Sequence, residues 1–183
     1  MKKFFIIIMV FIVFCVGVVV YKRVEKKYLY PIEHVEIIEQ NCREFNLDMA
    51  LVFSVINVES SFDERAVSGK GAKGLMQIMD STAEFIAKKL NVYAFDIFDE
   101  SVNIKFGCYY LRYLLDKFSN EKTAIIAYNA GEGNVRRWLS EEEYSKDGEN
   151  LHYIPFDETR DYIEKIYKNK SKYYKIYPEI VDK

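Results

Sequence analysis

The sequence predicts a small, mostly α-helical domain behind an N-terminal transmembrane helix. An uninterrupted apolar run occupies residues 4–20. Beyond it, apolar residues recur at the three- and four-residue spacing of helices, and strand-like alternation is absent. The only prolines stand at positions 31, 155 and 178, so little interrupts the helices between them. We therefore predict a membrane anchor with basic flanks over residues 1–27 and a folded domain over residues 28–183.

The apolar run is long enough to span a membrane. A helix needs roughly 17–25 apolar residues to cross the hydrocarbon layer. A cleaved signal peptide would have a shorter apolar region and then a site of small residues, but bulky and charged side chains follow position 18. We therefore favour an uncleaved anchor through residues 4–20. More basic residues follow the run than precede it, and by the positive-inside rule this would leave the domain in the cytoplasm.

Apolar periodicity predicts a series of helices after the anchor. Asp48 is the expected N-cap of the second of them, and Asp80 or Ser81 that of the third. The last predicted helix has acids in its first turn and lysines further on, as the helix dipole favours. The predicted ranges are 32–45, 49–58, 81–90, 103–118, 123–129, 133–139 and 157–172.

Composition excludes several classes of function. The net charge is −2, but residues 1–27 are basic, so the remainder carries about −7, which argues against nucleic-acid binding. Three cysteines imply no disulfide scaffold, and Cys42 and Cys108 are expected to be buried thiols on apolar helices. His34 and His152 lie outside every motif and give no ligand spacing, so we predict no metal and no cofactor.

One acid stands out because it closes an apolar helix. The stretch MALVFSVINVE, residues 49–59, ends at Glu59. A carboxyl group there is either a solvated helix end or a group held in a partly buried pocket, and burial would raise its pKa toward working pH. A carboxyl group with a raised pKa can act as a general acid, so Glu59 is a candidate for that role.

Five short segments, in order, resemble the catalytic domain of the soluble-type lytic transglycosylases, a lysozyme-like fold related to goose-type lysozyme. Asp80 and Glu132 stand where that family commonly has proline, so the shapes of two loops should differ. The segments are Glu59-Ser60-x-Phe62, Ser68-x-x-Gly71-Ala72-x-Gly74-Leu75-Met76-Gln77, Asn103-Ile104-x-x-Gly107-x-x-Tyr110-Leu111, Ala127-Tyr128-Asn129-Ala130-Gly131 and Glu158-Thr159-Arg160-x-Tyr162.

The resemblance implies a reaction that needs a single carboxyl group. In this family one glutamate, here Glu59, donates a proton and then acts as base, assisted by the N-acetyl group of the substrate. The 6-hydroxyl of the sugar attacks, which leaves a 1,6-anhydro product. Most other glycosidases use a second carboxylate, for which Asp63, Asp80 and Glu84 are the nearest candidates by sequence.

The resemblance also implies a set of substrate-binding residues. Ser68 would contact the reacting sugar, with an ordinary loop cap as the alternative, and Gln77 would offer its amide to an N-acetyl or hydroxyl group. Met79 would form part of the wall. Tyr128 would stack on the glycan and Asn129 would hydrogen-bond to it. Two further residues are expected beside these: Glu158, lining the site or pairing with Arg160, and Tyr162, placing its phenol near the carboxyl of Glu59.

We therefore expect residues 28–183 to form the catalytic domain of a murein lytic transglycosylase. Its substrate would be peptidoglycan glycan strands, so it would lie on the extracytoplasmic side of the cell membrane, held by a single span. The cell-wall assembly machinery is a further candidate partner. Two alternatives stay open, a lysozyme-type hydrolase and a non-catalytic glycan-binding module of a cell-wall-spanning apparatus.

Overall fold

The computed structural model describes residues 2–118 and 120–181, and these are predominantly helical. No strand occurs in these two ranges; isolated bridges join Val67 to Lys73, Lys73 to Ile78 and Ser145 to Leu151. The mostly helical fold predicted from the sequence is thus confirmed. The helices are α1 (Lys2–Val24), a π-helical turn (Glu25–Leu29), α2 (Val35–Phe45), α3 (Met49–Ser60), α4 (Asp80–Leu90), α5 (Glu100–Lys117), α6 (Glu121–Ala130), α7 (Glu132–Leu139), α8 (Asp157–Ile176) and α9 (Pro178–Val181).

The chain divides into two compact units, Met1–Glu33 and His34–Lys183. In the first unit the large apolar side chains of α1 are exposed, with exposed fractions from 38% at Val18 to 67% at Phe14. Within the described residues, Phe4–Leu29 is the one helix long and apolar enough to cross a membrane. The boundary that we predict after residue 27 stays a prediction.

The second unit is built around α3. Its residues from Met49 to Ile56 are all buried, which explains why the helix is apolar on every face. It packs most extensively against α8, where Phe53 stacks on Tyr173 with ring centroids 5.4 Å apart. Asp48 caps its start as predicted, accepting hydrogen bonds from the backbone of Ala50 and Leu51.

Some predicted helix starts are wrong, and the cause is local. Helix α4 begins at Asp80 and its N-cap is Met79, because the carboxylate of Asp80 pairs instead with Lys73, 2.8 Å away. Asp99 caps α5, which therefore starts three residues before the predicted position 103. Helix α2 starts at Val35 because His34 adopts a left-handed backbone conformation with φ of 54°.

The other predicted helices are present, with longer ends. Helices α6, α7 and α8 all extend beyond the predicted ranges by one to a few residues, since helix ends are the least defined part of a periodic pattern. Cys42 and Cys108 are buried free thiols, as expected. Burial raises the pKa of the Cys42 thiol to about 12, so it stays protonated and unreactive.

Candidate active site

A cleft of about 420 Å³ lies on the second unit beside the C-terminal end of α3. It brings together residues from distant parts of the sequence. Six lining residues have no role predicted from the sequence: Lys70, Thr82, Tyr110, Asn134, Phe156 and Thr159. The predicted site residues that line it are Glu59, Ser68, Gln77, Met79, Tyr128, Asn129 and Glu158.

Glu59 lies in the last turn of α3, half-buried at the side of the cleft. Ser61 and Phe62 follow with left-handed backbone, which ends the helix immediately beyond the acid. The hydroxyl of Tyr162, buried on α8, donates a hydrogen bond to Glu59 Oε1 at 2.8 Å. Tyr162 therefore does not line the cleft; it supports the carboxyl group from behind, close to the place that we predict for it.

Burial raises the pKa of Glu59 to about 7. The hydrogen bond from Tyr162 opposes this rise because it stabilises the carboxylate, and the negative charge of Glu158 adds to it. A carboxyl group with such a pKa holds a proton in near-neutral solution and can still release it. This is the property that a general acid and base requires.

The loop between α3 and α4 forms one wall of the cleft, and Asn103 of α5 holds it in place. The Asn103 side chain is 1% exposed. Its Oδ1 accepts from Met76 N at 2.7 Å, and its Nδ2 donates to the carbonyl oxygens of Lys73 and Ile97. Gly74, with φ of 74°, passes so close that a Cβ there would lie 2.3 Å from Asn103 Nδ2. Asn103 thus supports the wall from α5, whereas Tyr110 of the same segment lines the cleft.

Met76 is the point where three elements meet. A Cβ at Gly107 of α5 would lie 2.2 Å from Met76 Sδ, so only glycine lets the loop approach this helix. On the other side, the hydroxyl of Tyr128 donates to Met76 O at 2.8 Å. The Tyr128 hydroxyl is therefore engaged by a backbone carbonyl, and the ring of Tyr128 is the part available to contact a sugar.

Three side chains predicted to contact the substrate also form hydrogen bonds within the protein. Ser68 Oγ accepts from Ala72 N at 3.0 Å, as in the loop-cap alternative. Gln77 Nε2 donates to the Gly74 carbonyl at 2.9 Å. Asn129 Oδ1 accepts from Thr159 Oγ1 at 2.7 Å. These bonds fix the side chains, and the Ser68 hydroxyl hydrogen, Gln77 Oε1 and Asn129 Nδ2 remain as the groups that could bind a ligand.

Glu158 is the other acid that lines the cleft. It pairs with Lys70 at 3.1 Å instead of with Arg160, and both partners are largely exposed. Arg160 pairs with Asp157 instead. The ion pair between Lys70 and Glu158 joins the wall loop to the first turn of α8 at the rim of the cleft.

The candidate second carboxylates from the sequence do not line the cleft. Asp63 accepts from Arg65 N at 2.9 Å and so caps its own loop. Asp80 pairs with Lys73, and Glu84 is exposed on α4. Within the described residues, Glu59 and Glu158 are thus the acids that face this space.

A helical fold with a desolvated acid beside a cleft is the arrangement of the lysozyme-like class of proteins. The pattern that describes the transglycosylase SLT domain matches residues 36–151, and the chain belongs to that family. The soluble lytic murein transglycosylase of Salmonella typhimurium is 30% identical over 143 residues, which cover 75% of this chain and 22% of that protein. The membrane-bound lytic murein transglycosylase C of Yersinia enterocolitica is 28% identical over 124 residues, 61% of this chain and 35% of that protein.

Solved structures agree with the fold. The structure of an inactive mutant of the lytic transglycosylase Slt from Pseudomonas aeruginosa superposes with a TM-score of 0.69 at 30% identity. The match covers 80% of this chain and 24% of that one. The chain thus spans about a quarter of the length of its first relatives.

Proposed function

We propose that this chain is a murein lytic transglycosylase that cleaves the β-1,4 bond between N-acetylmuramic acid and N-acetylglucosamine. The supporting observation is Glu59, a half-buried carboxyl group in a cleft, with a pKa raised to about 7 and a hydrogen bond from Tyr162. Membership of the transglycosylase SLT family and similarity to proteins named lytic murein transglycosylases support the same substrate.

Glu59 acts first as acid and then as base. Its protonated carboxyl donates to the glycosidic oxygen as that bond breaks, and the N-acetyl group of the muramic acid stabilises the positive charge at the anomeric carbon. The resulting carboxylate removes the proton of the 6-hydroxyl as that oxygen forms the new bond. The reaction consumes no water, and Glu59 ends protonated, ready for another catalytic cycle.

The surroundings of Glu59 favour capture by the substrate. Among the described residues, Glu158 is the other acid that lines the cleft. It is exposed and paired with Lys70, so it is a poor candidate for a nucleophile that attacks the anomeric carbon. The ring of Tyr128 and the free amide atoms of Gln77 and Asn129 hold the sugar with Ser68, while Met79 forms wall. An intramolecular attack from a well-held sugar gains an effective molarity of 10⁵ M or more, on the order of magnitude known for oriented groups.

Mass spectrometry of digested peptidoglycan tests the reaction. Muropeptides ending in 1,6-anhydro-muramic acid, lighter by one water than reducing-end products and free of label after digestion in heavy-oxygen water, are expected. Reducing ends that carry the heavy oxygen would mean a lysozyme-type hydrolase. Binding to glycan strands with no products would mean a non-catalytic module.

We further propose that α1 anchors the domain in the membrane as a single span and that the domain lies on the extracytoplasmic side. The apolar helix Phe4–Leu29 and the similarity to membrane-bound lytic transglycosylases support membrane association. The substrate supports the outside orientation, against the count of flanking basic residues. Protease added to intact, wall-stripped cells should remove the domain and spare the apolar helix. A domain protected until lysis would reverse the orientation.

A further inference from the structure

We propose that His34, Glu64 and Glu100 form a binding site for a divalent transition-metal ion of the zinc type. The three residues are far apart in the sequence, which is why their spacing predicts no metal. The fold brings them together, because His34 directly precedes α2, Glu64 follows α3 and Glu100 begins α5. None of them lines the cleft, so this inference does not rest on the proposed activity.

The closest pair has the separation of two ligands on one ion. His34 Nε2 and Glu64 Oε1 lie 3.3 Å apart. Yet Nε2 is buried and has no hydrogen-bond partner among the described residues, so no N–H points well at that oxygen. Two ligands held at ~2.0–2.1 Å by a tetrahedral zinc ion lie about 3.3–3.4 Å apart. An ion would therefore use both the lone pair of the imidazole and the carboxylate at their present separation.

Glu100 supplies the third ligand. One ligand atom from each of the three residues lies within 4.8 Å of the other two. The nearest recorded approach of Glu100 is to His34 Nδ1, at 3.8 Å. The side chains of Glu64 and Glu100 are 45% and 44% exposed, so packing leaves both carboxylates room to turn toward one ion. Water would complete the coordination.

The chemistry of the ligands selects the kind of ion. One imidazole nitrogen with two carboxylate oxygens suits zinc and its neighbours in the first transition row. Calcium and magnesium prefer oxygen ligands alone, so an imidazole disfavours them. The backbone of His34 is left-handed, with φ of 54°. Few residues other than glycine and asparagine adopt this conformation without a cost in free energy.

A bound ion would brace the loop that leaves the candidate acid. Glu64 lies in the segment that connects the end of α3 to Ser68, and that segment begins with the left-handed residues Ser61 and Phe62. Joining Glu64 to the start of α5 would fix this loop against the helix that carries Asn103. The residues of the site would thus act as positioning residues, through structure and not through contact with substrate.

The competing account is a protonated His34 held between two carboxylates with no ion. The two accounts differ in what zinc does. A ligand set built for an ion binds zinc stoichiometrically and loses that binding when one ligand is removed. An ion pair of imidazolium with carboxylates gains nothing from zinc.

Isothermal titration of the full-length protein in detergent micelles with zinc chloride separates the two accounts. We expect one zinc ion per chain, and we expect His34→Gln and Glu100→Gln each to weaken binding by at least about tenfold. The matched control is His152→Gln, which removes the other histidine of the chain and should bind zinc like the parent protein. Because Glu100 is half exposed, its variant tests the site even where loss of His34 disturbs the fold.

Cobalt in place of zinc identifies the ligands. Visible bands of nitrogen and oxygen coordination, lost in Glu100→Gln, support the site. An intense sulfur-to-cobalt charge-transfer band would assign the ion to a cysteine, of which Cys15 is the exposed one, and overturn the proposal. Absence of stoichiometric zinc binding, or undiminished binding in both His34→Gln and Glu100→Gln, would overturn it equally.

Discussion

Two glutamates line the same cleft in opposite surroundings. Glu59 lies half-buried at the end of an apolar helix, where its carboxyl group accepts a hydrogen bond from a buried tyrosine. Glu158 lies in the first turn of α8, with its side chain 69% exposed and paired with Lys70. The residue type is the same, so the difference in chemistry comes from burial and neighbours.

The two acids also act on each other. Burial is the largest cause of the raised pKa of Glu59, and the negative charge of Glu158 contributes in the same direction. The exposed acid thus helps the buried one to keep its proton. The cleft therefore contains one candidate proton donor and one electrostatic neighbour, rather than the pair of matched carboxylates found in most glycosidases.

The largest effect should come from Glu59→Gln. Glutamine keeps the shape and accepts the hydrogen bond from Tyr162, but it cannot donate the proton to the leaving oxygen. We expect loss of glycan cleavage by 10²–10⁴-fold or more, roughly the contribution of general acid–base catalysis. Release of muropeptides from purified peptidoglycan measures it.

Glu158→Gln is the matched control, because it changes the other acid of the cleft in the same way. If both variants lost activity equally, the distinction between the two acids would be wrong. Unchanged turnover in a folded Glu59→Gln protein would remove Glu59 from the mechanism.

Glu59→Gln should also change how stability depends on pH. The pKa of Glu59 rises from an ordinary 4.5 to about 7 in the folded chain, so folding favours the protonated form. Stability from this group is complete below about pH 4.5 and is lost as pH rises to about 7, because the unfolded chain releases the proton first. The loss amounts to about 3 kcal/mol.

Thermal unfolding of the parent protein and of Glu59→Gln, measured in micelles at pH 4.5 and pH 8, checks this expectation. The variant should gain stability relative to the parent at the higher pH. Parallel behaviour of the two proteins at both pH values would mean that the carboxyl group is solvated.

The sequence predicts the helices well, and it places Glu59 at the end of one of them, because both depend on local patterns. Apolar periodicity places α3, and the Asp48 cap sets its start, since the carboxylate of Asp48 bonds to the next backbone amides. Asp80 shows the limit of such rules. A side chain expected to cap α4 pairs with Lys73 instead, and that pairing depends on how the wall loop folds.

The sequence predicts poorly whatever depends on tertiary approach. Asn103 is recognisable within a motif, yet its three hydrogen bonds to the wall loop follow from the packing of α5. The proximity of His34, Glu64 and Glu100 is likewise invisible in their spacing. Local propensity determines the elements, whereas the site depends on contacts between them.

Removing the support of Glu59 should have a smaller effect than removing the acid. Tyr162→Phe deletes the hydroxyl that donates to Glu59 Oε1 and keeps the buried ring. Because that bond lowers the pKa of Glu59, its loss raises the pKa still further and leaves the carboxyl less well oriented. We expect about a tenfold loss of kcat, which corresponds to one charge-assisted hydrogen bond of ~1.5 kcal/mol.

The pH profile distinguishes this role from a structural one. Activity that requires a protonated Glu59 falls above its pKa, and in Tyr162→Phe this alkaline limb should move to higher pH. A uniform loss of activity with an unmoved limb would indicate that Tyr162 serves packing alone.

The smallest effect should come from Glu158→Gln. This change removes a negative charge that helps to raise the pKa of Glu59, so the alkaline limb should move to lower pH, opposite to Tyr162→Phe. Loss of the exposed pair with Lys70 should cost less than about 1 kcal/mol of stability.

Salt provides the control, because charges at the rim of an open cleft are screened over about 10 Å at 0.1 M and about 3 Å at 1 M. The difference in limb position between Glu158→Gln and the parent should therefore shrink at 1 M salt, whereas the Tyr162→Phe shift should persist, since a hydrogen bond is not removed by screening. A Glu158 effect that survives high salt would mean that this acid meets the substrate directly.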